Sequence, residues 1–216
     1  MAKDIILLIG GTGVVGQAIL KELVQKESVI KVHVPVRAIS SLLFVNPKVD
    51  YKVVSFMELD QFPDLFDGVT HVICAIGTTI KKAKSKAQFQ IVDHYIPKMV
   101  ARLAKENNVQ SYSLVSSLGA NKTSRNFYLQ VKGQLESDLE LIKLNRLYIY
   151  RPSLLDGNRR EFRFGEVVGL IFCRLFSWLI PKKYAPTSVV ALAQKIVFQI
   201  DQKTDGVHFF EPDVIH

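Results

Sequence analysis

Tyr128 and Lys132 stand four residues apart in a segment, 127–144, whose apolar residues recur at helical spacing, so both side chains leave one helix face within a turn of each other. A phenol beside an ammonium is acid–base chemistry: the cation favours the phenolate, and the phenol can give its proton to an oxygen on which negative charge develops. The pair follows an extended run at 112–115 that ends in two hydroxyls, Ser116 and Ser117, either of which would hydrogen-bond the same oxygen. A second motif lies near the start of the chain. Gly10-Gly11-Thr12-Gly13-Val14-Val15-Gly16 reads G-x-x-G-x-x-G between a β-branched run at 5–9 and an amphipathic stretch at 14–26. In that setting Gly10 permits a tight exit from a strand, Gly13 lets the backbone approach a pyrophosphate, and Gly16 allows a helix to pack closely on a sheet. The helix N-terminus adds free N–H groups and a partial positive charge. The expected ligand is a dinucleotide.

The next extended run, 29–36, ends at Arg37, and no Asp or Glu occurs from Ser28 through Val49. An acidic residue there would hold a ribose 2′-hydroxyl, whereas a guanidinium suits a 2′-phosphate. A charge-assisted contact of about 1.5–3 kcal/mol corresponds to a roughly ten- to hundred-fold preference, so NADPH is expected over NADH.

These residues need elements that bring them together, and the chain alternates accordingly. Strands are expected at 5–9, 29–36, 51–54, 71–76, 112–115 and 147–150, with helices at 14–26, 58–66, 88–106 and 127–144 between them. Short β-branched strands alternating with helices specify a parallel sheet covered on both faces, with ligands bound outside the carboxyl ends of its strands. Beyond Asp156 the pattern becomes a polar loop, an apolar helix at 166–179, a second helix at 188–200 and an edge strand at 207–210. The fold expected is α/β, a Rossmann-like doubly wound parallel sheet, one domain over 1–216 in which about 154–216 adds a small C-terminal helical cap.

The composition fits this reading. Of 216 residues 48% are hydrophobic and 22% charged, which excludes a disordered chain. The formal charge is +8, a statement about association and not about fold. The most apolar stretch, 167–180, is about a dozen residues broken by Arg174, short of the roughly 20 that a membrane span needs, so no transmembrane segment is expected. Two isolated cysteines, Cys74 and Cys173, and a start without a cleavable leader suggest a reduced, cytoplasmic protein. Five histidines without ligand spacing give no metal site.

Three stretches together, the glycine turn at 10–16, Ser-Ser-Leu-Gly-Ala at 116–120 and Tyr128-Leu-Gln-Val-Lys132-Gly, resemble an atypical short-chain dehydrogenase/reductase. More narrowly the chain resembles the Tat-interacting-protein type, the oxidoreductase-like metastasis suppressors, through Cys74-Ala-Ile-Gly77-Thr78-Thr79, 121–133 and Arg151-Pro152 onward to Arg159, Arg163 and Glu166. The resemblance implies a Ser-Tyr-Lys constellation at Ser117 (or Ser116), Tyr128 and Lys132. It also implies cofactor contacts at Thr12, Gly13, Val14, Val15, Arg37, Ile76, Gly77, Leu155 and Arg163. The chain departs from the family at Ser55, where many members carry an acid, and at Val92-Asp93-His94, where many short-chain reductases carry an Asn.

Lys81, Lys82, Lys84 and Lys86 follow Gly77-Thr78-Thr79 and so belong near the ligand edge. A charge run in a loop is usually solvated, and with Phe89 as the nearby aromatic no nucleic-acid binding is expected. The apolar helix at 166–179 packs on the sheet, covers a substrate pocket, or meets a protein partner or second copy of the chain. The leading expectation is an NADPH-dependent reductase of a carbonyl or similar group in a small-molecule substrate, with Tyr128 as general acid. Its rival is a non-catalytic NADPH-sensing protein whose partner binding depends on the cofactor.

Overall fold

Strand β1 (Asp4–Ile9) is central and covered on both faces, which is why it is a continuous apolar run. Ile6 and Leu8 point into one core and Leu7 and Ile9 into the other. The structure, a computed structural model, describes residues 3–41, 43–156 and 186–215. After α1 (Val14–Gln25) come β2 (Val29–Val36), β3 (Val49–Val53) and β4 (His71–Cys74). Then follow α2 (Ile80–Ala83), α3 (Lys86–Gln90), a π-helical turn (Ile91–Tyr95), α4 (Ile96–Glu106), β5 (Ser111–Val115), α5 (Phe127–Ile142) and β6 (Arg146–Tyr150). A two-residue parallel bridge joins β7 (Leu155–Asp156) to β8 (Thr187–Ser188), and α6 (Val189–Phe198) and β9 (Gly206–Phe210) complete the described chain.

Seven strands form one sheet in the order β3-β2-β1-β4-β5-β6-β9, every neighbouring pair parallel. The order reverses between β1 and β4, the place where a doubly wound sheet opens a crevice at the carboxyl ends of its strands. One core lies between the sheet and α4 and α5, with Leu7, Ile9, Val72, Leu114 and Leu135. The other lies beneath α1 and α6, with Leu8, Ile19, Val34, Tyr150 and Leu192. The C-terminal helix α6 lies against α1, and β9 pairs with β6, so the described part of the tail extends the sandwich itself. The apolar helix expected at 166–179 lies outside the described residues, as does Cys173.

Two expected helices differ in the structure, and proline explains both. In place of a helix at 58–66 there are two 3₁₀ turns, Leu59–Gln61 and Pro63–Phe66, because Pro63 lacks a donor and holds Phe62 out of the helical region. Leu59, Leu65 and Phe66 are still buried, so the apolar spacing reflected packing. The helix expected at 88–106 begins at Lys86, capped by the Ser85 hydroxyl, and passes through the π turn before α4. Pro97 has no N–H for the carbonyl of Asp93, four residues back, and the i→i+4 ladder is interrupted there.

Candidate cofactor and active site

Gly10 leaves β1 at φ +86, and a Cβ on it would meet the Ile76 nitrogen at 2.6 Å and the Ala75 carbonyl carbon at 2.7 Å. The glycine loop therefore lies directly on the chain leaving β4. A Cβ on Gly16 would overlap the Gly10 carbonyl oxygen, so that glycine is required for α1 to reach the sheet. Gly13 is different. Its Cβ would meet only the Gly10 oxygen, at 3.3 Å, a tight approach but far milder than the overlaps at Gly10 and Gly16. Gly13 caps α1 without a side-chain hydrogen bond, and the first turn carries no acid. Thr12, Gly13 and Val14 are exposed, while Val15 and Gly16 are buried behind them. An exposed cradle that a Cβ would partly fill, at the positive end of a twelve-residue helix, fits a dinucleotide pyrophosphate.

Ile76 and Gly77 follow β4, beside the glycine loop. A Cβ on Gly77 would meet Asp93 Oδ1 at 3.3 Å, and the Thr78 N–H donates to Asp93 Oδ2 at 2.8 Å. Asp93 Oδ1 in turn lies 3.0 Å from Lys132 Nζ. Asp93 is 1% exposed and Lys132 3%, so the ammonium sits in a buried ion pair. Burial pulls the Lys132 pKa down, but the Asp93 carboxylate outweighs it and the net shift is upward: this lysine stays charged. The π turn is what aims Asp93 inward, and the departure seen at Val92-Asp93-His94 is thus the lysine's counter-ion.

Tyr128 opens α5, whose start is capped by Asn126 Oδ1 accepting from the N–H groups of Tyr128 and Leu129. Its half-buried ring packs on buried Phe89 of α3, with centroids 5.8 Å apart, and Phe89 also meets Phe127 at 5.7 Å. The loop before α5 is held close by Gly133, where a Cβ would overlap the backbone of Asn121 and Lys122. Sequence reading missed the roles of Asp93, Phe89 and Gly133; a glycine directly after Lys132 was the available signal for the last.

The structure separates the two serines. Ser116 is buried and donates to Glu136 Oε1 at 2.5 Å. Glu136 is clamped by Arg151 through Nη2 at 2.6 Å and Nε at 3.2 Å, and Arg151 reaches on to Glu211 at 3.0 Å. Ser116 thus belongs to a strut joining β5, α5 and β6. Ser117 is half-buried and donates only weakly, to the Leu118 carbonyl at 3.4 Å. Its hydroxyl is the less engaged of the two.

Arg37 follows β2 directly and is exposed, beside the end of β3 where Val54 bonds to the Val36 carbonyl and exposed Ser55 follows. Leu155 is half-buried in the bridge to β8, and Arg163 lies outside the described residues. A Ser-His-Asp chain exists at the opposite edge: His71 Nδ1 lies 2.7 Å from Ser111 Oγ, and His71 Nε2 lies 3.5 Å from Asp4 Oδ1. All three are buried at the amino ends of β5, β4 and β1, so this chain fastens strands together away from the crevice.

A doubly wound parallel sheet with a glycine loop at its switch point defines a nucleotide-binding protein. Solved structures agree on the fold: the Bordetella bronchiseptica enzyme WbmH in complex with NAD+ superposes with a TM-score of 0.74 at 18% identity, covering 97% of this chain and 76% of that one. UDP-glucose 4-epimerase from Thermotoga maritima gives 0.72 at 15% identity, covering 96% and 76%. The NAD(P)H-binding family matches residues 10–167. Protein HTATIP2 of Rattus norvegicus is 34% identical over 169 residues, covering 77% of this chain and 69% of that protein. Protein FMP52, mitochondrial, of Debaryomyces hansenii is 34% identical over 155 residues, covering 71% and 68%. The chain therefore belongs to the NAD(P)H-binding family, together with its relatives HTATIP2 and FMP52.

The relatives overturn the cytoplasmic expectation. FMP52 proteins of Debaryomyces hansenii and Aspergillus fumigatus are mitochondrial by name, so cysteine usage and the first few residues were insufficient grounds for a purely cytoplasmic location. Among the described residues no helix is long and apolar enough to cross a membrane.

Proposed function

We propose that the protein is an NADPH-dependent reductase of a carbonyl or similarly polarised group. The observation that carries this is the series of contacts from the glycine loop to Lys132, which lies one helical turn after Tyr128 on α5: Gly10 against Ala75 and Ile76, Gly77 and Thr78 against Asp93, and Asp93 against Lys132. A dinucleotide, when bound, supplies the hydride. Gly13 and the first N–H groups of α1 would hold its pyrophosphate, with Thr12, Val14 and Val15 lining the loop, and Arg37 would attract a 2′-phosphate. Ile76, Gly77 and Leu155 contribute apolar and backbone surface. Lys132 directs its remaining N–H donors to the ribose and its charge towards Tyr128. Ser117 donates to the substrate oxygen, and Tyr128 gives that oxygen its proton as hydride arrives, so the charge never accumulates.

Tyr128→Phe is expected to leave NADPH affinity within about two-fold of wild type and to lower aldehyde turnover by roughly 10²–10⁴-fold. Calorimetry and NADPH consumption measure the two separately. Turnover retained by Tyr128→Phe would remove the phenol from the reaction. No turnover by the wild type, together with NADPH-dependent capture of a partner, would favour a sensing role in its place.

A further inference from the structure

Lys81 and Lys82 lie in α2, Lys84 directly after it and Lys86 at the start of α3, all exposed. Lys122 and Arg125 are exposed in the loop that leads from β5 into α5. These two segments meet at the phenol: Lys86 Nζ lies 5.1 Å from the ring centroid of Phe127, and Phe89 packs on both Phe127 and Tyr128. Residues 75–92 and 116–135 contain no Asp or Glu at all. Nearby Asp93 adds nothing to the field, because it is buried and already paired with Lys132. Lys81, Lys84, Lys122 and Arg125 have no carboxylate partner among the described residues. Elsewhere the two signs are interspersed, as where Lys26 meets Asp201, Lys31 meets Asp50, Lys98 meets Asp138 and Arg146 meets Asp205.

The cofactor's phosphates do not account for the whole of this rim. A pyrophosphate on α1 would lie at the end of β1, next to β4, and a 2′-phosphate at Arg37 at the end of β2, whereas Lys122 and Arg125 follow β5, beyond β4. β2 and β5 are three strand spacings apart, about 14 Å. Exposed cations around a cleft raise the local concentration of anions by roughly 10–10³-fold. The geometry points to a substrate that carries a carboxylate or phosphate group beside its reducible carbonyl, the anion held by Lys86, Lys122 and Arg125 while the carbonyl oxygen reaches Ser117 and Tyr128. This assignment rests on the reductase reading.

The test uses charge-matched pairs with the NADPH-loaded protein: 4-carboxybenzaldehyde against its methyl ester, and glyceraldehyde 3-phosphate against glyceraldehyde. The anionic member of at least one pair is expected to show about ten-fold higher kcat/KM at low salt. The ratio should shrink as salt rises and approach one in Lys86→Glu/Arg125→Glu, with NADPH calorimetry confirming that the variant is folded. The pair that responds tells carboxylate from phosphate. Equal kcat/KM within both pairs, or a preference that ignores salt and the variant, overturns the inference. A second arm needs no turnover: calorimetry of 4-(hydroxymethyl)benzoate and its methyl ester on the NADP+-loaded protein. Binding of the carboxylate alone, lost in the variant, supports the anion site even where no aldehyde is reduced, and in that case only the reductase reading fails. Binding of anionic vesicles or duplex DNA while the small anions are ignored overturns the substrate assignment.

Discussion

Lys132 is a cation with 3% exposure whose nearest carboxylate, Asp93, comes from a segment 39 positions earlier in the chain. Removing one partner of such a pair leaves the other buried and uncompensated, at a cost of about 3–5 kcal/mol. Lys132→Met is expected to lose that much stability, and Asp93→Asn/Lys132→Met to recover most of it. Urea midpoints measure both, and losses that simply add would contradict the pairing. At the other end of the crevice, Arg37→Glu is expected to weaken NADPH by ten- to hundred-fold and leave NADH nearly unchanged. Equal losses, read by titration, would withdraw the guanidinium's role. The placement of Tyr128 and Lys132 on one helix and of Arg37 at a strand end was legible, because each follows from a local spacing or a strand end. Asp93 was visible only as a departure from a pattern, since nothing local says that a carboxylate and an amine 39 positions apart share a cavity. The choice between Ser116 and Ser117 was illegible for the same reason: it depends on Glu136, on a helix that the alternation of β5 alone does not place.

At the scale of elements, the turn between β1 and α1 holds two glycines with different work. Gly16→Ala drives a methyl into the Gly10 carbonyl and is expected to destabilise the protein and abolish NADPH binding together. Gly13→Ala meets only one oxygen at 3.3 Å and is expected to keep the wild-type melting temperature within a few degrees while weakening NADPH at least ten-fold. Thermal melts beside calorimetry separate the two, and parallel losses in Gly13→Ala would show that the loop serves only packing. The strand–helix alternation was readable because strands buried on both faces are continuous apolar runs. The helix expected at 58–66 failed because burial of Leu59, Leu65 and Phe66 mimics helical spacing across a proline. The segment at 88–106 was placed correctly, but no periodicity reveals a π turn, and that turn carries Asp93.

For the whole molecule, the crevice occupies the carboxyl edge of the sheet, while the amino edge is fastened by buried polar contacts around His71. Burial holds the His71 pKa below its usual value despite Asp4, and Arg146 adds to the effect; burial and Lys31 lower that of His33, with Asp50 opposing. Both histidines are neutral in the fold, so the unfolded chain binds protons first. The stability they support is complete above the unfolded histidine pKa of about 6.5 and is lost as pH falls below it. Melting temperature is expected to drop from pH 7 to pH 5, and His33→Gln/His71→Asn to flatten that drop; an unchanged slope would place the acid sensitivity elsewhere. The doubly wound parallel sheet was legible from alternation, whereas its strand order and the place of the tail were not. Residues 206–210 give a short edge strand in sequence, and only the structure shows it lying parallel to β6 with α6 against α1. The proposed function puts a dinucleotide at the carboxyl edge of the sheet. Titration calorimetry of the wild-type protein with NADPH and with NADH, repeated on Gly13→Ala, tests this most directly. Saturable one-to-one binding, tighter for NADPH by at least about ten-fold and lost in the variant, is the expected result. No heat from either nucleotide at millimolar concentration, or equal binding by the variant, would contradict the account.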